Sequence, residues 1–159
     1  MRFLAVYAAL GLPDACAALE QANGEADGPL YAAWWDKWVS DRYVMLDGNK
    51  LTGKDVYRMR CKAYHNGSLT MHEAVPTWER VAFSYAGGTM HKLVSARRQG
   101  DRPTLILDPK TFCVDICEGV VEWSKVASLT TNFQANWPKV WQFRPNGLEG
   151  HIHGVPVIA

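Results

Sequence analysis

The spacing of apolar residues changes after Tyr43, from a helical period to short runs separated by turn residues. Before that point, residues 13–23 and 29–41 have the spacing of helices, and Asp27 is placed to cap the second one. The apolar run 3–10 fits either a buried strand or a short core helix, because periodicity does not separate the two. Two helices are therefore predicted ahead of the strands.

Tryptophan is unusually abundant, with seven residues in the chain, and three of them fall in the second predicted helix. Leu30, Trp34 and Trp38 recur there on one helical face, so this helix is expected to bury an aromatic stripe against a sheet. A large aromatic core is the plainer interpretation, because each indole ring buries much surface. The functional alternative is a stacking platform for a base, a sugar or a partner protein.

The part of the chain after Tyr43 predicts a series of β-hairpins. The clearest is centred on Asn66-Gly67, because Asn-Gly between two extended runs favours a two-residue hairpin turn. A further helix is expected over residues 120–129. The other predicted strand pairs join residues 80–85 to 89–97, 104–107 to 112–116, and 139–143 to 148–157.

Consecutive hairpins pair antiparallel, and helices segregated from strands indicate an α+β fold. We predict a single domain over residues 1–159, an antiparallel twisted sheet of five to seven strands built from hairpins. One face of that sheet is expected to be covered by the Trp-rich helix and one or two further helices. A chain of 159 residues with 48% hydrophobic residues is large enough to bury such a core without metal or disulfide staples.

The hairpin at Asn66-Gly67 also carries the main candidate site. Side chains alternate along a strand, so Arg58, Arg60, Lys62 and Tyr64 would share one face, and the hairpin register would place Glu73 opposite Arg60. The plainer interpretation is a solvated sheet surface with a weak cross-strand ion pair. The functional interpretation is an anion or nucleotide site. In it the three cations bind phosphate or carboxylate, while the tyrosine and the glutamate are the catalytic candidates.

A second basic segment, residues 97–102, holds three arginines. If the sheet brought it close to Arg58 and Lys62, a local positive groove would result; otherwise it is an exposed loop. The formal net charge of the whole chain is only +1, which argues against a general nucleic-acid or membrane-surface binder. Any basic patch is therefore expected to be local.

Two histidines, His151 and His153, are spaced to share one face of a strand, as in some strand-borne metal sites. A third ligand would have to come from His72, His91 or a carboxylate, and nothing near in sequence supplies one. Two surface histidines are therefore the preferred interpretation, and these residues are only weak metal candidates. No cofactor is predicted, because the phosphate-loop, dinucleotide-binding and hydrolase-elbow motifs are absent from the sequence.

The four cysteines, Cys16, Cys61, Cys113 and Cys117, show no zinc-ligand spacing. They are expected to be reduced, mostly buried thiols of a cytoplasmic protein. Cys113 is a poor candidate for a nucleophile, because its predicted mid-strand position offers no activation of the thiol. The start of the chain has the positive charge and apolar run of a secretion signal, but Pro13-Asp14 interrupts the cleavage region.

These observations predict a small soluble protein that binds an anionic small molecule or nucleotide-like ligand on an open sheet face. Whether it also transforms that ligand, and is therefore an enzyme, is left open. The alternative is a non-enzymatic interaction or inhibitor protein that acts through an aromatic-rich surface. A metal-dependent enzyme built on the two histidines ranks below both. Neither a membrane nor nucleic acid is an expected partner, and assembly into a homo-oligomer is left open.

Overall fold

The computed structural model describes residues 2–67, 77–86, 90–95 and 101–159, and helices dominate these ranges. Five α-helices lie within the described residues: α1 (Arg2–Leu19), α2 (Gly28–Trp38), α3 (Gly53–Asn66), α4 (Pro109–Ala127) and α5 (Thr131–Asn136). The strands described there are short: β1 (Arg80–Phe83), β2 (Leu93–Ser95), β3 (Thr104–Leu107), β4 (Phe143–Arg144), β5 (Gly147–Leu148), β6 (Ile152–His153) and β7 (Val157–Ile158). Single 3₁₀ turns occupy Ser40–Tyr43 and Trp137–Lys139.

The predicted antiparallel sheet of five to seven strands is wrong. Within the described residues the largest sheet has three strands in the order β1–β3–β2. Its β1–β3 pair is parallel and its β2–β3 pair is antiparallel, so β1 and β2 do not form the predicted hairpin with each other. The strands after residue 140 pair as β4 with β7 and β5 with β6, which replaces the single strand pair that was expected.

The hairpin predicted around Asn66-Gly67 is also wrong, because its first strand is the helix α3. This helix begins with a capping box, in which the Thr52 hydroxyl accepts from the Asp55 backbone N–H while the Asp55 carboxylate accepts from the Thr52 backbone N–H. At the other end Gly67 adopts φ 62°, and its N–H donates to the Ala63 carbonyl. The Asn-Gly pair therefore ends a helix instead of turning a hairpin.

The apolar positions of α3 explain why a helix forms. Val56, Met59 and Ala63 are buried, and their spacing of three and four residues places them on one helical face. The alternation of cations at Arg58, Arg60 and Lys62 favours a strand, but these side chains are only partly buried, whereas the apolar residues at helical spacing are fully buried. The hydrophobic period therefore decides the local structure.

The predicted strand pair 104–107 with 112–116 is wrong in its second half. Asp108 directly follows β3 and caps α4. Its carboxylate accepts a hydrogen bond from the Thr111 backbone N–H at 2.8 Å, and Pro109 occupies the first helical turn. The helix predicted over residues 120–129 is the second half of this longer helix, which ends at Ala127.

The helix predicted over residues 29–41 is confirmed as α2, and Asp27 caps it by accepting from the Leu30 N–H at 2.9 Å. The aromatic stripe of α2 is buried, with Tyr31, Trp34 and Trp35 as its innermost residues. It packs against α1, α3 and α4, however, and these helices take the place of the expected sheet.

The start of the chain forms one helix, α1, which contains Pro13 in its interior and joins the predicted segments 3–10 and 13–23 up to Leu19. In the ranges that the structure describes, no helix is both long enough and apolar enough to cross a membrane.

We predict that Gly53→Ala lowers the free energy of unfolding by about 3 kcal/mol, because the new Cβ would overlap the backbone of Ala32 in α2. Gly67→Ala is the matched control: no described residue lies within 4 Å of the added Cβ, so the expected penalty is that of the left-handed backbone conformation, about 1 kcal/mol. Urea denaturation of both variants checks this prediction. Equal losses would show that α2 and α3 do not approach each other as closely as described.

Candidate functional site

The residues of the predicted anion site do not share one face. Consecutive helical residues are rotated by about 100°, so positions two apart lie on opposite sides of α3. Arg58 and Lys62 therefore lie on one side, and Arg60 and Tyr64 on the other. Glu73 lies outside the described residues, so the proposed pairing with Arg60 has no counterpart in the described structure.

Arg60 and Tyr64 attach α3 to α1. The Arg60 guanidinium lies 2.8 Å from an Asp14 carboxylate oxygen, and it also lies over the Tyr64 ring at 4.8 Å from the ring centre. The Tyr64 ring stacks on that of Tyr7 with 4.0 Å between centroids, and its hydroxyl donates to the Tyr7 carbonyl at 2.8 Å. These contacts give both residues a structural role between two helices.

Two residues of this cluster, Tyr64 and Asp14, have raised pKa values. Burial raises the pKa of Tyr64, although the adjacent Arg60 acts in the opposite direction. Burial likewise raises the pKa of Asp14, and the attraction of Arg60 offsets only part of that rise. A tyrosine with a raised pKa gives up its proton less readily at neutral pH, so the catalytic assignment of Tyr64 has no electrostatic support.

A different surface has the features expected of a ligand site, namely one face of the sheet β1–β3–β2. The opposite face packs against the helices, with Val81, Leu105 and Leu107 buried and the Phe83 ring 5.2 Å from that of Phe112 in α4. The other face, which does not pack against the helices, borders a cavity of about 290 Å³. This cavity is lined by Glu79, Arg80, Ala82, Ser95, Arg102, Thr104 and Ile106.

The strand register arranges this lining into two rows. Arg80 and Ser95 both lie opposite Thr104, one on each side, which gives a polar row across the three strands. Ala82 and Leu93 both lie opposite Ile106, which gives an apolar row beside it.

The Glu79 carboxylate lies close to the basic end of the cavity. The Arg80 guanidinium lies 3.8 Å from the Glu79 carboxylate, and Arg102 lies nearby along the same cavity wall. Arg102 is the described end of the basic segment 97–102, whose residues 97–100 lie outside the described ranges. The sequence analysis therefore includes Arg102 in a predicted basic segment, but no sequence pattern identifies Arg80 as a site residue.

A second exposed surface belongs to the ladder of β4 and β7. Gln142 and Ala159 exchange two backbone hydrogen bonds of 2.8 and 3.1 Å, which extends the ladder by one residue pair. Trp141, Phe143 and Ile158 then lie on one face, because positions two apart in a strand share a side and Phe143 pairs with Ile158. These three side chains are 85%, 69% and 73% exposed. The ladder therefore presents an apolar face, which we call the Trp141 face.

The tryptophans divide between core and surface. Trp34, Trp35, Trp78 and Trp123 are buried, as the core interpretation predicts. By contrast, Trp137 and Trp141 are exposed, and Trp137 stacks on Phe133.

The weak metal candidates are not supported. His151 and His153 are exposed, and no group of three metal-binding side chains occurs in the described ranges. His72 lies outside those ranges.

The cysteines are free thiols, as expected, but only Cys16 is buried. Burial raises its pKa to about 12, and burial also raises the pKa of Cys113, so neither sulfur is activated as a nucleophile.

We predict that Arg60→Met lowers the free energy of unfolding by about 1–3 kcal/mol, because it leaves the half-buried Asp14 carboxylate without its cation. Lys62→Met on the same helix is the control and should change stability by less than about 0.5 kcal/mol. Chemical denaturation measures both. A stable Arg60→Met protein would show that the contact between α1 and α3 does not depend on this ion pair.

Comparison with family models, with curated proteins and with solved structures finds no match for this chain. The function is therefore argued from the geometry of the sheet-face cavity and of the Trp141 face.

Proposed function

We propose that the protein binds an anionic, nucleotide-like small molecule on the open face of the β1–β3–β2 sheet. The observation that carries this proposal is the polar row of Arg80, Thr104 and Ser95, which lies beside a second arginine in one cavity. This site lies on a sheet face, as in the sequence-based prediction, but it consists of residues from β1, β2 and β3 and not of the predicted residues, which lie on α3.

The chemistry of the cavity suits a ligand with a charged end and an apolar end. Arg80 and Arg102 supply guanidinium groups, which bind phosphate or carboxylate oxygens through paired N–H donors. The hydroxyls of Ser95 and Thr104 can donate further hydrogen bonds to the same oxygens. Ala82 and Ile106 provide a flat apolar floor on which a ring can lie.

The cavity volume supports a small ligand. About 290 Å³ is close to the lower end of the range of pockets that hold small molecules, roughly 300–1,000 Å³. Glu79 beside Arg80 adds selectivity, because its negative charge opposes a second anionic group at that end of the site.

We place this function in the cytoplasm. Reducing compartments keep thiols free, and all four cysteines of the chain are free in the structure. Phosphorylated and carboxylated metabolites would be the available ligands there.

We expect adenosine monophosphate, inorganic phosphate or a dicarboxylate such as succinate to raise the melting temperature of the protein. Arg80→Gln should weaken binding of the active probe about tenfold or more in calorimetry, because it removes one charge-assisted pair worth roughly 1.5–3 kcal/mol. Lys125→Gln removes a cation from α4, outside the cavity, and is the matched control.

Three outcomes decide this test. Loss of binding in Arg80→Gln with retention in Lys125→Gln supports the site. Equal weakening in both variants would show general charge attraction, and no binding of any probe by the wild-type protein would refute an anion site.

We propose protein interaction as a second candidate function, supported by the Trp141 face. Two aromatic rings and an isoleucine on one exposed face are typical of an interface, where such residues supply most of the binding energy. The occupant that we propose is a second copy of this chain. In the described residues the β4–β7 ladder contains only those two strands, so both of its outer edges can pair with another strand. A two-fold axis would then bring two such faces together.

We predict a concentration-dependent dimer in light scattering coupled to size exclusion, and Phe143→Ser should raise its dissociation constant at least about tenfold. Leu46→Ser is the matched control, because Leu46 is a fully exposed apolar residue in the turn after Val44. A wild-type protein that stays monomeric up to high micromolar concentration would exclude this occupant.

A further inference from the structure

A cluster of polar residues joins the sheet to the start of α4, apart from both surfaces described above. His91 lies two residues before β2, and its ring Nδ1 accepts a hydrogen bond of 3.2 Å from the backbone N–H of Asp108. Asp108 is the capping residue of α4. One imidazole therefore connects the edge strand β2 to the point where β3 becomes α4.

The hydrogen bond defines the protonation state of the ring. Because Nδ1 accepts, the proton of the neutral imidazole is on Nε2. That Nε2 atom is buried and has no hydrogen-bond partner among the described residues. A carboxylate oxygen of Asp115 lies 4.0 Å from it, and the same oxygen already accepts from the Tyr43 hydroxyl at 2.8 Å.

The backbone beside His91 is held in an uncommon conformation. Lys92 has φ 60°, the left-handed region that a lysine adopts at a cost of about 1–2 kcal/mol. Its ammonium nitrogen lies 5.6 Å from the centre of the Tyr43 ring, and the Tyr43 and His91 rings meet edge to face at 5.7 Å. The turn thus directs His91 toward the helices, where its side chain is only 10% exposed.

We propose that His91 is a proton-operated latch that holds β2 against the start of α4 when neutral and releases it when protonated. A proton on Nδ1 removes the lone pair that accepts from the Asp108 N–H and sets two N–H groups against each other. The hydrogen bond is therefore lost on protonation, and the imidazolium must turn or leave its place. In the described residues β2 pairs only with β3, and the latch adds a link between this edge strand and the start of α4.

Charged and titratable groups from three elements surround the ring. Lys92 precedes β2, Asp108 and Asp115 belong to α4 and its cap, and Tyr43 closes the 3₁₀ turn after α2. Burial is the largest effect and lowers the pKa of His91 below its ordinary value of 6.5, and Lys92 acts in the same direction. The two aspartates raise the pKa but do not reverse its direction.

The sign of the pH dependence follows from this lowered pKa. The unfolded chain binds a proton at His91 below about pH 6.5, while the folded protein still excludes it. The contribution of the latch to stability is therefore complete above pH 6.5 and is lost as the pH falls toward the folded-state pKa. Across that window the unfolding equilibrium constant should rise by up to about tenfold per pH unit from this group alone.

His91→Asn tests the latch, because the asparagine oxygen can accept from the Asp108 N–H but does not titrate. Denaturation is measured from pH 7.5 to 5 on the wild-type chain and on this variant. His153→Asn, which removes an exposed histidine in β6, is the control. On acidification from pH 7.5 to 5, the free energy of unfolding of the wild type and of His153→Asn should fall further than that of His91→Asn. The difference is the contribution of His91.

A second measurement does not depend on any variant folding. Nitrogen NMR of the wild-type protein should show the proton on Nε2 of His91 at pH 7.5. The amide signal of Asp108 should shift with a single midpoint below pH 6.5. Equal acid sensitivity of His91→Asn and the wild type would overturn the proposal, as would a proton on Nδ1 at neutral pH or an Asp108 amide that does not titrate.

Discussion

The cap at Asp108 is the constraint on which most of the structure depends. Its carboxylate accepts from the Thr111 backbone N–H and hydroxyl, both at 2.8 Å, and these bonds hold the pKa of Asp108 below its usual range. The cap fixes where the central strand β3 ends and where α4 begins. From there α4 places Phe112 and Ile116 in the core and approaches α1 and α2 closely. At Gly119 only a residue without a side chain fits beside Val39 and the Trp38 carbonyl.

The sequence predicts the local structure correctly where the apolar pattern and a capping residue agree. It misleads where a single two-residue turn signal conflicts with the apolar pattern. At α2 the Asp27 cap and the aromatic spacing both indicated a helix, and a helix forms. At α3 the Asn66-Gly67 pair suggested a hairpin, yet a left-handed glycine ends helices as readily as it turns hairpins. The buried positions Val56, Met59 and Ala63 indicate the helix, because burial of apolar area outweighs the spacing of partly buried cations.

The sheet-face cavity could not be predicted from local patterns. Its polar row joins Arg80, Ser95 and Thr104, and β3 inserts between the two strands that precede it in the chain. Strand order of this kind depends on tertiary packing, which includes the contact of Phe83 in β1 with Phe112 in α4, and no turn signal encodes it. The prediction of a cationic sheet face at Arg58, Arg60 and Lys62 was wrong, because the apolar residues of that segment make it a helix.

The edge strand β2 links the proposed ligand site to the proposed latch. It has three residues, of which Ser95 lies at the cavity and Leu93 lies two positions after His91. A ligand bound at once to Arg80 and Ser95 would fix β2 in its place in the sheet and so oppose its release from the start of α4, which follows protonation of His91. Because linkage is reciprocal, such a ligand must lower the pKa of His91 by the same free energy with which protonation weakens its binding. A ligand held by Arg80 and Arg102 alone would not be coupled to β2 in this way, so the response of His91 to ligand reports whether the polar row acts as one site.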